Sequence, residues 1–150
     1  MTTAYLLPDI QYEILELKGE EGCRLAAYQD TLGVWTIGWG HTGPEIVKGL
    51  VWTQSQADAQ LEADLDAIVD GLVADIPWFE GLDPIRQDVL ADMAFNMGDA
   101  GLMDFKNTLA LVDSGQFTRA AAAMLASTWA SQVPTRAVRL AKMMKTGERS

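Results

Sequence analysis

The segment Val34-Trp35-Thr36-Ile37-Gly38-Trp39-Gly40-His41-Thr42 constrains the fold most, because its period is two in a chain whose other apolar residues recur at helical spacing. Trp35, Ile37, Trp39 and His41 fall on one face of an extended strand, with Val34, Thr36, Gly38 and Gly40 on the other. Just before it, Asp30-Thr31-Leu32-Gly33 has turn chemistry, and Gly33 is free to take a positive φ, so the stretch predicts a β-hairpin. Upstream, Ile10, Ile14 and Leu17 stand at i, i+4 and i+7, which predicts a helix that Asp9 caps and Gly22 stops. Glu21 is thereby expected where helix gives way to hairpin, with Asp30 and Thr36 on the hairpin itself. The three side chains could line one cleft.

Two carboxylates and a hydroxyl around a turn suit the hydrolysis of a glycosidic bond. That chemistry needs a proton on the leaving oxygen and negative charge near the developing oxocarbenium ion. The general acid has to stay protonated near neutral pH. At Glu21 the negative end of a helix dipole and the adjacent Glu20 are both expected to disfavour the ionised form. Asp30, on a hairpin nearer water, is the natural carboxylate to activate a water. Thr36, across the turn, is placed to help hold that water. Opposite roles for two carboxyls, set by their surroundings, are a recurring enzymatic pattern.

These residues also carry a resemblance. The pattern Glu21-x8-Asp30-x5-Thr36, embedded in Glu21-Gly22…Tyr28-x-Asp30-x-x-Gly33-x-x-Thr36-Ile37-Gly38-x-Gly40-His41, resembles the phage lysozymes (endolysins) of glycoside hydrolase family 24. The likeness continues through Asp92-Met93-Ala94-Phe95-Asn96-Met97-Gly98 and Trp129-x4-Pro134-x-Arg136-Ala137-x-Arg139, and so covers nearly the whole chain from Glu21 to Gly147. What it implies is an inverting muramidase for the β-1,4 bond between N-acetylmuramic acid and N-acetylglucosamine in peptidoglycan. Glu21 would be the acid, Asp30 the partner carboxylate and Thr36 the residue that positions the water. The implied fold is α+β and mostly α: a small N-terminal β-hairpin lobe (about 9–52) and a larger helical lobe (about 78–150), joined by a long helix (about 53–73).

Beyond the hairpin the chain reads as helical. Thr53-x-x-Gln56 resembles a capping box, and Ala57, Leu61, Leu65, Ile68, Val69, Leu72 and Val73 keep a 3.6-residue period. Asp83-Pro84 opens a helix with Ile85, Val89, Leu90 and Met93 inward, interrupted at Gly98 and Gly101. Leu109, Leu111 and Val112 predict a short helix ended by Asp113-Ser114-Gly115. Ala120 to Ala123, continuing to Trp129, predict another, and Pro134 starts the last, closing near Gly147. No repeat, low-complexity tract or linker divides the chain.

The 150 residues, 49% hydrophobic, suffice for one domain with a proper core. Cys23 is the only cysteine, so no intramolecular disulfide is available, and it reads as a small packed residue. The net charge of −10 sits entirely in residues 1–75, since residues 76–150 hold equal numbers of acids and bases. Nucleic-acid binding is therefore disfavoured. No signal peptide or membrane-inserting stretch is predicted. With the resemblance, this implies a monomer held in the host cytoplasm, then released to the periplasm and cell wall through a separate membrane-permeabilising protein.

His41 is the only histidine, and no metal-ligand spacing surrounds it, so neither a metal nor a cofactor is expected. The resemblance instead pairs His41 with Asp64 and Glu20 with Arg139 as structural contacts, and puts Arg136 beside the acid. Thr42, Phe95, Asn96, Thr108 and Arg136 are the candidate substrate contacts. One family contact falls on Ala123, which offers no polar group. Trp35 and Trp39, on the hairpin face opposite Thr36, read as core-packing or surface residues and Trp129 as core, and Gly38-x-Gly40 lacks the ending of a phosphate loop. The alternative reading is a catalytically silent muramidase-like domain that binds wall or protein. A lytic transglycosylase fits less well, since it needs no water-activating Asp.

Overall fold

The structure, a computed structural model, describes residues 14, 17–19 and 22–149. Ile14 and residues 17–19 are helical, and Leu17 is fully buried. The expected cap Asp9 and first apolar position Ile10 lie outside the described residues, as do Glu20 and Glu21.

Three antiparallel strands follow in the order β1 (Arg24–Gln29), β2 (Trp35–Gly38) and β3 (His41–Thr42). The predicted two-strand hairpin is thus corrected to a three-strand sheet. Alternation through His41 fails because Gly38 and Gly40 take φ of +65° and +84°, which reverses the chain at Trp39 instead of extending it. At Gly38 there is a second reason for glycine: a Cβ there would stand 3.1 Å from the Trp52 ring. The outer edge of β1 is covered by the returning chain, where Ala27 N–H donates to Leu50 O and Trp52 N–H to Leu25 O.

Helix α1 (Gln54–Asp75) starts on the capping box read from sequence, with Gln56 N–H donating to Thr53 Oγ1 at 3.1 Å and Thr53 N–H to Gln56 Oε1 at 2.8 Å. Its buried face, Ala57, Leu61, Leu65, Val69 and Leu72, packs on β2 and β3 at one end and on the next helix at the other.

That helix, α2 (Pro84–Met103), is capped by Asp83, whose carboxylate accepts from Arg86 N–H at 3.1 Å. The sequence predicts one apolar stripe here, yet every residue from Gln87 to Ala94 is buried. The helix runs through the middle of the larger core, with neighbours on all sides. Gly98 (φ +82°, ψ 157°) breaks it as expected, whereas Gly101 stays helical with Met97 packed against it.

Helices α3 (Lys106–Asp113), α4 (Phe117–Leu125), α5 (Thr128–Gln132) and α6 (Pro134–Thr146) complete the fold. The single helix predicted from Ala120 to Trp129 is two: Ser127 accepts from Ala130 N–H at 3.2 Å and starts α5 afresh. Gly147 closes α6 in the left-handed conformation, and Arg86 donates to the carbonyls of Met144 and Lys145 beside it. Among the described residues no helix is long and apolar enough to cross a membrane.

One packing contact works against stability. Asp99 follows the Gly98 break and presses on α1 at Gly71, where a Cβ would collide with its Oδ2. Its Oδ1 is buried without a hydrogen-bond partner among the described residues. Desolvation, reinforced by Asp75, holds its pKa above the ordinary 3.8. A carboxyl raised in the folded state favours folding when protonated, and that contribution is lost as pH rises through the folded value. Asp99→Asn should therefore raise Tm by a few degrees at neutral pH and leave it unchanged near pH 3; thermal melts across pH read both arms.

Candidate active site

The Asp30 turn is built on one short loop of backbone. Asp30 Oδ1 accepts from Leu32 N–H at 2.8 Å and from Val34 N–H at 2.9 Å, an Asx-type turn that fixes the carboxylate. Asp30 N–H in turn donates to Val34 O at 2.9 Å. Its Oδ2 takes no hydrogen bond among the described residues. Thr36, one strand position beyond Trp35, is 5% exposed, and its hydroxyl donates to the same Val34 carbonyl at 3.0 Å. Val34 thus stitches Asp30 to Thr36. In the sheet Thr36 stands between Tyr28 on β1 and Thr42 on β3, so the two threonines are cross-strand neighbours. Glu21, the other candidate carboxyl, lies outside the described residues.

Thr42, His41, Asp64 and Phe95 line one cavity of about 300 Å³ beside the sheet. His41 Nδ1 is 2.8 Å from Asp64 Oδ2, and Asp64 Oδ1 accepts from Gln60 at 2.8 Å. On its other side His41 Nε2 is 3.9 Å from Glu45, and the ring lies against Trp52. Asn96, the next candidate, accepts from Trp129 Nε1 at 2.7 Å, so its amide oxygen is committed to holding that indole. Trp129 and Thr108 belong to a second cavity, of about 330 Å³, together with Ala123. The pair Phe95-Asn96 therefore joins the two cavities along one helix.

Arg136 stands apart from both. It is 9% exposed and lines a third cavity with Gly19 and Arg139. Its Nε donates to Asp92 Oδ1 at 2.7 Å, and Arg139 donates to Asp92 Oδ2 at 3.0 Å. Of the expected pair Glu20–Arg139, only the arginine is among the described residues. Asp92 has no exposed surface and is the residue that sequence reasoning passed over. The signal is present: a lone acid inside the apolar run Val89-Leu90-Ala91-Asp92-Met93-Ala94 has to find cations when that run is buried. A second missed contact is Asp58, which accepts from Trp39 Nε1 at 2.8 Å. Hydrogen bonds from Trp39 and Gln54 hold its pKa below the usual carboxylate value. Among the described residues no group of three or more His, Cys, Asp or Glu could hold a metal ion.

A family model for phage lysozyme matches residues 18–142, a span that includes the hairpin turn, Asp92 and both arginines. The chain belongs to the phage lysozyme family. It is accordingly a glycoside hydrolase of the lysozyme type. Among its relatives is a probable T4-type lysozyme of Dictyostelium discoideum, 30% identical over 87% of this chain and 92% of its own length. An endolysin of Lactococcus phage c2 is 37% identical over 59% of this chain and 38% of its own. One of Salmonella phage P22 is 35% identical over 57% of this chain and 60% of its own.

The His41–Asp64 contact ties the last strand of the enzyme to α1, so its main effect should be on stability. His41→Asn should lower Tm, at a cost of about 1.5–3 kcal/mol for a hydrogen bond to a charged group. Chemical denaturation beside a turnover assay checks this; a collapse of turnover with unchanged melting would instead give His41 a part in the chemistry.

Proposed function

We propose that this enzyme is a muramidase that hydrolyses the β-1,4 bond between N-acetylmuramic acid and N-acetylglucosamine in peptidoglycan, with inversion. Glu21 is the general acid, Asp30 the base that activates water, and Thr36 the residue that orients it. The observation that carries the reading is the Asp30 turn, in which one carboxylate oxygen is fixed by two backbone N–H groups and the other is left to act. Because the Thr36 hydroxyl gives its proton to the Val34 carbonyl, what it offers a water is a lone pair. A water held by Thr36 Oγ1 and Asp30 Oδ2 donates one hydrogen to each, and its own lone pair is left to face the anomeric carbon.

In the reaction, that water attacks from one side and passes a proton to Asp30. Glu21 protonates the glycosidic oxygen, which leaves with the bond's electron pair. Inversion requires room for the water, so the Glu21 and Asp30 carboxyls should stand roughly 6.5–9.5 Å apart. The glycan would occupy the cleft between a small sheet lobe and the helical lobe, with Thr42, Phe95, Asn96 and Thr108 along its walls, while Arg136, expected there from the resemblance, stands in a separate cavity and holds Asp92. The phage relatives are endolysins, which supports the cell wall as the place of action. The enzyme works there as a monomer, held in the host cytoplasm until a separate membrane-permeabilising protein admits it.

The decisive experiment adds enzyme to outer-membrane-permeabilised Gram-negative cells and follows turbidity. Wild type should clear the suspension, and Glu21→Gln and Asp30→Asn should each lose about 10²–10⁴-fold in rate. Equal clearing by all three proteins would refute the assignment, and no clearing by any would favour a wall-binding domain. Reducing ends in the products, as opposed to anhydro-muramic ends, would separate hydrolysis from transglycosylation.

A further inference from the structure

Tyr28 stands two positions before Asp30, and neither the Asp30 turn nor the Thr36 hydroxyl bond uses its side chain. Its place follows from the register of the sheet. Tyr28 is the direct cross-strand partner of Thr36, and Thr36 is that of Thr42, so the three side chains form one row on one face. Asp30 continues the ladder opposite Val34 and shares that face. Side chains directly opposed in antiparallel strands stand about 5 Å apart. The row therefore starts at Thr42, which lines a cavity with Phe95, and crosses Thr36 to reach Tyr28 on the far side.

Two observations equip this end of the row for a ligand. Tyr28 is half-buried, and its hydroxyl takes no hydrogen bond among the described residues. Arg24 lies over the ring, its guanidinium carbon 4.3 Å from the centroid, and it pairs with no carboxylate among the described residues. In a chain with 21 acidic and 11 basic side chains, a guanidinium without an acid is uncommon. Stacking on the ring holds it, and its N–H donors stay available. An N-acetylated sugar matches this set. Its acetamido oxygen accepts from a guanidinium, its hydroxyls bond a phenol, and its C–H face packs on an aromatic ring.

We propose that Tyr28 and Arg24 form a sugar subsite on the side of Thr36 away from Phe95, so that the glycan is gripped on both sides of the bond to be cut. The inference rests on the muramidase reading above. Tyr28 and Arg24 bond the sugar directly, and Arg24 also fixes the angle of the Tyr28 ring.

The test compares a peptidoglycan disaccharide with a tetrasaccharide of the same repeat, by calorimetry on Glu21→Gln protein, which leaves both intact. The disaccharide should settle against Phe95. The tetrasaccharide reaches across Thr36 and should bind at least about tenfold more tightly. Tyr28→Phe and Arg24→Gln should each remove about two- to tenfold of that advantage, the size of one hydrogen bond, and together bring the ratio close to one. Arg24→Lys, which keeps a cation over the ring, should retain part of it. Disaccharide affinity should stay unchanged in all of these, an outcome that a damaged fold would not give. A tetrasaccharide advantage that is absent, or that survives both substitutions, would overturn the proposal, and so would an equal loss for the two lengths. If the advantage follows Tyr28 and Arg24 while wild-type enzyme cleaves neither fragment, the subsite stands and the muramidase reading fails. Cleavage of the tetrasaccharide with the same KM in wild type, Tyr28→Phe and Arg24→Gln would leave the muramidase reading standing and remove the subsite.

Discussion

The carboxylate of Asp92, without exposed surface and gripped by Arg136 and Arg139, fixes how the central helix sits against the last one. A charge taken fully out of water is tolerable only when cations and hydrogen bonds replace its hydration. Two guanidinium groups do so here, and removing one partner of such a set leaves the other buried and uncompensated, at about 3–5 kcal/mol. The consequence reaches the cleft. Phe95 and Asn96 lie three and four residues beyond Asp92, on the same side of the helix. Fixing the roll of α2 at Asp92 thereby aims Phe95 at one cavity and Asn96 at Trp129, the wall of the next.

The sheet uses a more local device at the other side of the cleft. Asp30, only half-buried, is held by its own turn through two N–H groups and the Val34 carbonyl. Such local bonds need no tertiary partner, which leaves the carboxylate near solvent where a water can reach it. Rigid charge in the helical part and a pinned but accessible charge in the sheet divide the labour: one shapes the binding walls, the other is available for proton transfer. The acidity of residues 1–75 is destabilising along α1, where Asp66 is raised by its own desolvation and by repulsion from Asp70 and Glu62. These groups at i−4, i and i+4 are stacked on one helix face, where like charges are mutually unfavourable.

How much of this was legible follows from the range of each interaction. The capping box at Thr53, the cap at Asp83 and the break at Gly98 are local, and the residues of each stand within four positions of one another. They were readable. The reversal at Gly38–Gly40 was not, because a glycine that keeps a strand's spacing looks the same as one that turns the chain. The split at Ser127 was masked by the run of alanines before it, whose helix propensity outweighs one capping residue on inspection. The pairing of His41 with Asp64 spans 23 positions and came from family resemblance alone. Asp92 was visible only as part of a motif, since its partners lie 44 and 47 residues on.

The sequence by itself determined the helix starts at Thr53 and Asp83, the break at Gly98 and the Asp30 turn, because short-range sterics and hydrogen bonding act between neighbours in the chain, and its motifs carried the membership of a lysozyme family. Only the tertiary structure decided that Arg136 and Arg139 converge on Asp92, that Asn96 is bound to Trp129, and that the first turn of α3 stays open over a cavity. Those outcomes depend on which groups lose water together when distant segments pack. Sequence order carries no record of that until the chain has closed on itself.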